Sequence, residues 1–405
     1  MAKKFLVLLI DGMADYPLEQ LGGKTILEAA DTPALEGITA SSEVGTLKTV
    51  PEGYAPGSDV ANMSVMGYDP ACYYTGRSPF EALSMGVELD SEEVSLRCNL
   101  VTLSQETEYE NKVMEDYSAG EISSEEAAEL ITSCQENLGN EKFKFYSGVS
   151  YRHLLVWKGG NPEIELTPPH DISDQKIGAY LPQGSGNTEL LDLMKRSTEF
   201  LPEHEVNQRR RNDGLAPANS IWLWGEGTRP KLDSFAEKYG LSGSVISAVD
   251  LIKGLGIAAG LKIVDVPGAT GRIDTNFSGK AEAAVDCLQS GDDFVYLHVE
   301  AADEAGHQGE IDTKIKAVEK VDHLVLKYIL QEIGSTEELS LLVLPDHYTP
   351  ISLKTHVSEP VPFLLYRNYQ PGKKEFRVDQ FSEKKAAQTN FHLEDGYKLM
   401  DYFVG

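Results

Sequence analysis

The chain has 405 residues, 41% of them hydrophobic and 25% charged, which is the composition of a globular protein with room for two domains of roughly 100 to 250 residues each. Its 64 acidic residues outnumber 36 Lys and Arg, and the formal charge of −28 argues against nucleic acid or an anionic membrane as partner, because both attract basic surfaces. The four cysteines, Cys72, Cys98, Cys134 and Cys287, lie far apart without a CxxC spacing, so neither a disulfide framework nor a thiolate zinc site is expected. No apolar run approaches the ~18 residues that span a bilayer. The run at 5–10 is also too short for the apolar segment of a signal peptide, so the expected location is cytoplasmic.

In chain order, the apolar run at 5–10 reads as a buried strand closed by Asp11, a helix begins near Thr25, and 44–50 reads as a second strand. Pro51, Gly53, Pro56 and Gly57 then make a turn that opens into a helix at Ser58. From about residue 94 the pattern alternates in polarity, giving half-buried strands at 96–103, 143–149 and 153–158. Helices fit 123–138, where Ser123 and Glu126 have the spacing of a capping box, and 188–200, closed by Pro202. This block reads as a separate α+β unit ending at 214–217. Beyond Ser220 strand and helix alternate again: strands at 221–225, 244–249, 261–266, 294–299, 341–344 and 361–366, and helices at 251–259, 279–288 and 313–333. The expected fold is α/β, a doubly wound, mostly parallel sheet built from 1–90 and 216–405 and interrupted by an inserted α+β domain at 91–215.

Ligands of such sheets gather at the carboxyl edge of the strands. Asp11 follows one apolar run, Asp303 and His307 follow a second, Asp346 and His347 a third, and His356 precedes a fourth. Carboxylates and imidazoles hold Mn²⁺, Mg²⁺ or Zn²⁺, and two such ions about 3.5 to 4 Å apart clamp a transferring phosphoryl group. Asp303 and His307 are spaced i, i+4, one turn apart on a single helical face. Adjacent Asp346 and His347 point to different sides, and His356 sits in a polar loop. Taken singly, each has a plainer use as a hydrogen-bonded histidine or a helix-capping aspartate. Their joint placement at matching strand ends favours a metal centre. Ser58 is the natural nucleophile: an unassisted hydroxyl is weak at neutral pH, coordination to a cation ionises it, and a helix N-terminus favours a bound phosphate. Its plainer use is a helix N-cap with Asp59 in the first turn.

The order DG, GSD, DEAGH, PDH and THxxEPVPF resembles the alkaline phosphatase superfamily. The segments GSDVANMSVMGYDP, GRSPFEALSMGVEL, RCNLVTL and RRRNDGLAPANSIW are similar to the archaeal-type cofactor-independent (2,3-bisphosphoglycerate-independent) phosphoglycerate mutases, over almost the whole chain. The resemblance implies an alkaline phosphatase type core, a substrate-binding cap that closes over the substrate, and two divalent ions (Mn, Zn or Mg) without 2,3-bisphosphoglycerate. It implies that Asp303, His307 and His356 hold one ion, that Asp11, Ser58, Asp346 and His347 hold the other, and that Ser58 is transiently phosphorylated while 3-phosphoglycerate and 2-phosphoglycerate interconvert.

Such a substrate carries about three negative charges, so a pocket in this acidic chain must collect cations, preferably Arg, whose planar fork grips phosphate and carboxylate. Candidates are Arg77, Arg97, Arg152 and the Arg209-Arg210-Arg211 run, with Lys253 as a phosphate contact in the core. For the arginine run the plainer use is a solvated helix end, where cations complement the dipole. A second functional reading stands beside the first. ANSIWLWGEG and ISAVDLIKGLGI resemble relatives proposed as homoserine kinases, and the absence of a Walker or kinase glycine loop neither demands nor excludes a nucleotide. A phosphatase, or a metal-stabilised binding protein without turnover, would use the same ligands; the CxPxR-like context of sulfatases is absent. Nothing in the sequence sets an oligomeric state.

Overall fold

A computed structural model of the chain describes residues 3–334 and 336–405, which form two compact units: the chain up to Tyr74 together with Lys231–Gly405, and Thr75–Pro230. The first unit is built on an eight-stranded sheet. At its centre Lys3–Ile10 runs parallel to both Phe294–Val299 and Glu338–Leu344, with Ile10 opposite Val299 and Leu9 opposite Leu344. Because these strands run the same way in register, the residues that follow them emerge at one edge. The Val361–Arg367 strand is antiparallel to Glu338–Leu344. An antiparallel strand begins where its neighbour ends, so the loop carrying His356, on its N-terminal side, reaches that same edge. Glu43–Leu47, also antiparallel to Val361–Arg367, and His392–Leu393 complete one flank; Gly243–Ile246 and Lys262–Ile263 complete the other.

The central strands are buried on both faces, which is why they read as unbroken apolar runs. Leu6, Leu8, Ile10, Val295, Leu297, Val299, Leu341 and Val343 share one core with Ala281, Ala284 and Leu288 of the helix Phe277–Gln289 and Ala317 and Val318 of Ile311–Lys320. On the opposite face Phe5 meets Phe403, and Phe294 stacks on Phe235. Each fully buried Leu or Val contributes roughly 1.5 to 3 kcal/mol, so the sheet centre is the rigid part of the unit. The helix expected at 313–333 is interrupted by a π-helical stretch, Val321–Leu326, where Asp322 accepts hydrogen bonds from the Ala34 and Leu35 N–H groups. No helix among the described residues is long and apolar enough to cross a membrane.

The second unit is an antiparallel sheet around the eleven-residue strand Glu93–Leu103, paired with Arg152–Lys158, Ser220–Thr228 and Met114–Asp116, while Phe143–Tyr146 pairs with Arg152–Lys158. Helices Ser124–Leu138 and Asn187–Phe200 cover it, the first capped by Ser123, whose hydroxyl accepts from the Glu126 N–H. The units divide at 74/75 and 230/231 rather than at 90/91 and 215/216. Helix Ser78–Ser84 packs on Glu93–Leu103, with the Ser78 hydroxyl 2.8 Å from the Ser95 carbonyl, so it belongs to the second unit. The 221–225 segment, expected in the parallel core, lies within Ser220–Thr228, antiparallel to Glu93–Leu103. A strand buried on both faces has the same apolar signature in either kind of sheet.

Candidate active site

Asp11, Asp303, His307, Asp346, His347, His356 and Ser58 come together at the carboxyl edge of the first unit's sheet. The Asp11 N–H donates to the Val299 carbonyl at 3.0 Å, which ties the end of the first strand to its neighbour. Gly12 follows with φ +62, and a Cβ there would lie 2.6 Å from Thr349 Oγ1 and 2.7 Å from the Asp303 Cα. Only glycine fits a left-handed position packed that closely. Gly12→Ala is therefore expected to displace Thr349 and Asp303 and to cut both activity and cation binding, which metal analysis of the purified variant would measure.

Helix Ala301–Gln308 starts immediately beyond the Phe294–Val299 strand and carries Asp303 and His307 on one face. His307 Nδ1 donates to the Lys354 carbonyl at 3.0 Å, which leaves Nε2 facing inward, 3.3 Å from Asp303 Oδ2 and 2.8 Å from His356 Nε2. His356 Nε2 is 3.4 Å from Asp303 Oδ1. Next to this trio, His347 Nε2 lies 3.3 Å from Asp346 Oδ2, 3.7 Å from Asp11 Oδ1 and 3.2 Å from the Ser58 hydroxyl. The His347 and His356 rings stack with centroids 3.8 Å apart. Ligand atoms of Asp11, Asp346 and His347 all lie within 4.8 Å of one another, as do those of Asp303, His347 and His356.

The electrostatics of this cluster fit cations. Burial, and then the charges of Asp346, Asp303 and Glu300, push the Asp11 carboxyl well above its ordinary range, and its Oδ1 is buried without a hydrogen-bond partner among the described residues. An orphaned carboxylate oxygen among other carboxylates costs stability unless a positive charge meets it. Burial would also raise Asp303, but hydrogen bonds from His307 and His356 outweigh it and hold Asp303 well below the usual range. Burial pulls His307 down, yet its bond to Asp303 and the Asp303 charge carry it up to about 9. His347 is pushed down to about 4 by burial, so its imidazole is neutral and free to ligate.

Ser58 is the first residue of helix Ser58–Val65, and the N-cap is Gly57. The Ser58 hydroxyl is thus not used as a cap; it is half-buried and turned to His347. Residues that sequence reading did not single out form a layer behind this cluster. Asn62, one turn after Ser58, donates from Nδ2 to the Ser58 carbonyl and to Asp346 Oδ2, both at 2.8 Å, and accepts from the Tyr296 hydroxyl at 2.7 Å. The Thr349 hydroxyl donates to Asp303. Lys314, fully buried, donates to Asp15 Oδ2 and to the Thr349 carbonyl at 2.8 Å each, bracing the loop that carries His347. The i, i+4 spacing of Asn62 from Ser58 was the one visible signal for any of these.

The candidate cations divide into two kinds. In the second unit, Arg77 and Arg97 share Glu81 at 3.3 and 3.1 Å, Arg97 lies 4.5 Å from the Trp224 ring, and burial with the neighbouring Arg77 and Arg152 charges lowers Arg97 to about 10 despite Glu81. Arg77 and Arg152 thus lie close enough for their charges to act on Arg97. Arg210 is different: it is 3% exposed and spends its donors on the Ala216 and Ala119 carbonyls and on Glu126. Arg209 pairs on the surface with Glu129 at 3.4 Å, and Arg211 donates to the Pro202 carbonyl. Arg210 therefore braces the second unit from within, while Arg209 and Arg211 lie exposed on its surface. Arg210→Met is expected to destabilise it by roughly 2 to 4 kcal/mol, from orphaned buried acceptors, as read by urea unfolding. In the first unit, Lys253 pairs with Asp265 at 2.6 Å rather than with the ligand cluster.

The family profile for 2,3-bisphosphoglycerate-independent phosphoglycerate mutase matches residues 39–207. A protein of that name from Methanosarcina barkeri is 51% identical over 403 residues, covering 99% of each chain. A probable 2,3-bisphosphoglycerate-independent phosphoglycerate mutase from Geobacter sulfurreducens is 49% identical over 401 residues, again 99% of each. Among solved structures, a protein from Pyrococcus horikoshii matches with a TM-score of 0.80 at 27% identity, over 100% of this chain and 97% of that one. The cofactor-independent phosphoglycerate mutase of Thermoplasma acidophilum matches with a TM-score of 0.63 at 26% identity, over 100% and 99%. With relatives this similar along its whole length, the chain belongs to the family of 2,3-bisphosphoglycerate-independent phosphoglycerate mutases.

Proposed function

We propose that this chain interconverts 3-phosphoglycerate and 2-phosphoglycerate through a phosphoserine on Ser58. The observation that carries this reading is the Ser58 hydroxyl, 3.2 Å from His347 Nε2 at a helix N-terminus and beside the cluster of six acidic and imidazole groups. In the first step the Ser58 hydroxyl loses its proton as its oxygen bonds to phosphorus, the bond to the glycerate oxygen breaks, and that oxygen takes up a proton and leaves as a hydroxyl. In the second, the other glycerate hydroxyl loses its proton as it bonds to the same phosphorus, and the departing Ser58 oxygen is reprotonated. The positive end of helix Ser58–Val65 faces the charge on the transferring group. Asn62 fixes the Ser58 backbone against Asp346, so the nucleophile and one ligand move as a piece.

Asp303, His307 and His356 would hold one divalent cation, and Asp11, Asp346, His347 and Ser58 the other. Such ions ionise a serine hydroxyl and neutralise a transferring phosphoryl group. Three imidazoles in the set favour Mn²⁺ or Zn²⁺ over Mg²⁺. Arg77, Arg97 and Arg152 recognise the anionic substrate, so Arg97→Ala should raise KM far more than it changes metal content. The four cysteines, free of disulfides among the described residues, suit a reducing compartment and support a cytoplasmic location.

Cation binding should tighten as pH rises. His307, carried to about 9, is protonated at neutral pH and must lose that proton before Nε2 can ligate, so affinity climbs from pH 6 towards pH 9 with proton release. Calorimetric titration in buffers of different ionisation enthalpy measures it; a pH-independent affinity would remove His307 from the ligand set. The reaction is tested by supplying 3-phosphoglycerate alone and, separately, homoserine with ATP. Formation of 2-phosphoglycerate without nucleotide supports the mutase, whereas strictly ATP-dependent phosphohomoserine would replace it with a kinase.

A further inference from the structure

We propose that His298, oriented by Ser247, is a positioning residue that fixes Asp11 and thereby sets the affinity of the cation site to which Asp11 contributes. The inference rests on the reading of Asp11 as a metal ligand. His298 lies in the strand beside Asp11, and residues there alternate in direction: Val295, Leu297 and Val299 enter the apolar core, while Tyr296 and His298 form the polar contacts on the other side. The imidazole is fully buried, so both ring nitrogens need partners. Nε2 is 3.0 Å from Asp11 Oδ2, and Nδ1 is 3.1 Å from the Ser247 hydroxyl.

As a metal ligand Asp11 is ionised and can only accept, so a neutral His298 carries its hydrogen on Nε2 and donates it to Asp11, and Nδ1 accepts from the Ser247 hydroxyl, whose oxygen in turn accepts the Val249 N–H at 3.0 Å. Lys280, also fully buried, donates to the His298 carbonyl at 3.0 Å and anchors the strand end from behind. With Oδ2 held in this way, the Asp11 oxygen left for a cation is Oδ1, which has no hydrogen-bond partner among the described residues and lies 3.7 Å from His347 Nε2. Asp11 is therefore built to bind through a single oxygen, its rotation blocked by a chain of hydrogen bonds that begins at Ser247. Removing such outer partners typically lowers metal affinity by about 10- to 100-fold.

The test titrates MnCl₂ into metal-stripped wild-type, Asp11→Ala, Ser247→Ala, His298→Leu and His298→Gln proteins, and counts bound ions and their affinities by electron paramagnetic resonance. Asp11→Ala should lose one ion. Ser247→Ala and His298→Leu should weaken that same ion by about 10- to 100-fold and leave the other within about twofold, and His298→Gln, which keeps an N–H donor, should recover part of the loss. In ¹⁵N-histidine spectra, Ser247→Ala should disturb the fixed tautomer of one buried ring. If His298→Leu fails to fold, Ser247→Ala carries the comparison. Wild-type affinity for both ions in folded Ser247→Ala, or equal weakening of both, would overturn the positioning role while leaving the metal centre standing. Retention of both ions by Asp11→Ala would remove the metal reading of Asp11 and this proposal with it.

Discussion

Ser58→Ala should reduce turnover of 3-phosphoglycerate by on the order of 10⁴-fold or more, the scale on which loss of a nucleophile is felt when the rest of a site survives. The hydroxyl caps nothing, since Gly57 is the N-cap, and the helix behind it is held by its own packing and by Asn62. The substitution thus removes a reacting atom and little else. Metal content should remain near wild type, because Asp11, Asp346 and His347 stay in place, and the melting temperature should move little. Turnover near the wild-type rate in a folded Ser58→Ala protein would rule out the phosphoserine.

Removal of divalent cations should have the second large effect. Without them Asp11, Asp303 and Asp346 crowd their carboxyls into one buried cluster with Glu300 acting from its edge, and Asp11 is driven towards its protonated form. Stripping with a chelator should abolish activity and lower the melting temperature, since each ion present at a hundred times its dissociation constant stabilises the folded state by about 2.7 kcal/mol. Readdition of Mn²⁺ should restore both. A melting curve unchanged by full chelation would mean that these side chains hold no structural cation.

The gathering of Asp11, Asp303, His307, Asp346 and His347 was legible because they follow apolar runs, and parallel strands in register bring such ends to one edge. His356 joins them only because its strand runs antiparallel, which no local pattern reveals. The layer behind this cluster was not legible. His298 looks like a lone histidine in an apolar strand until Lys3–Ile10 is placed beside it, and Thr349 gains its role from a packing contact with Gly12 and Asp303. Likewise, Arg210 and Arg97 are equally basic on paper. One has its guanidinium spent on two carbonyls and a carboxylate, whereas the other shares Glu81 with Arg77 and feels the charges of Arg77 and Arg152, and only the fold tells them apart. The strand at 221–225 was placed in the wrong sheet because burial on both faces looks alike in parallel and antiparallel surroundings.

The most direct test of the phosphoserine mechanism is acid quench of the manganese-loaded protein during turnover of ³²P-labelled phosphoglycerate, followed by peptide mapping. The expected result is label on the peptide containing Ser58, absent in Ser58→Ala and lost when unlabelled substrate is chased in. Rapid formation of 2-phosphoglycerate with no label on Ser58 at any time, or with label on another residue, would contradict it.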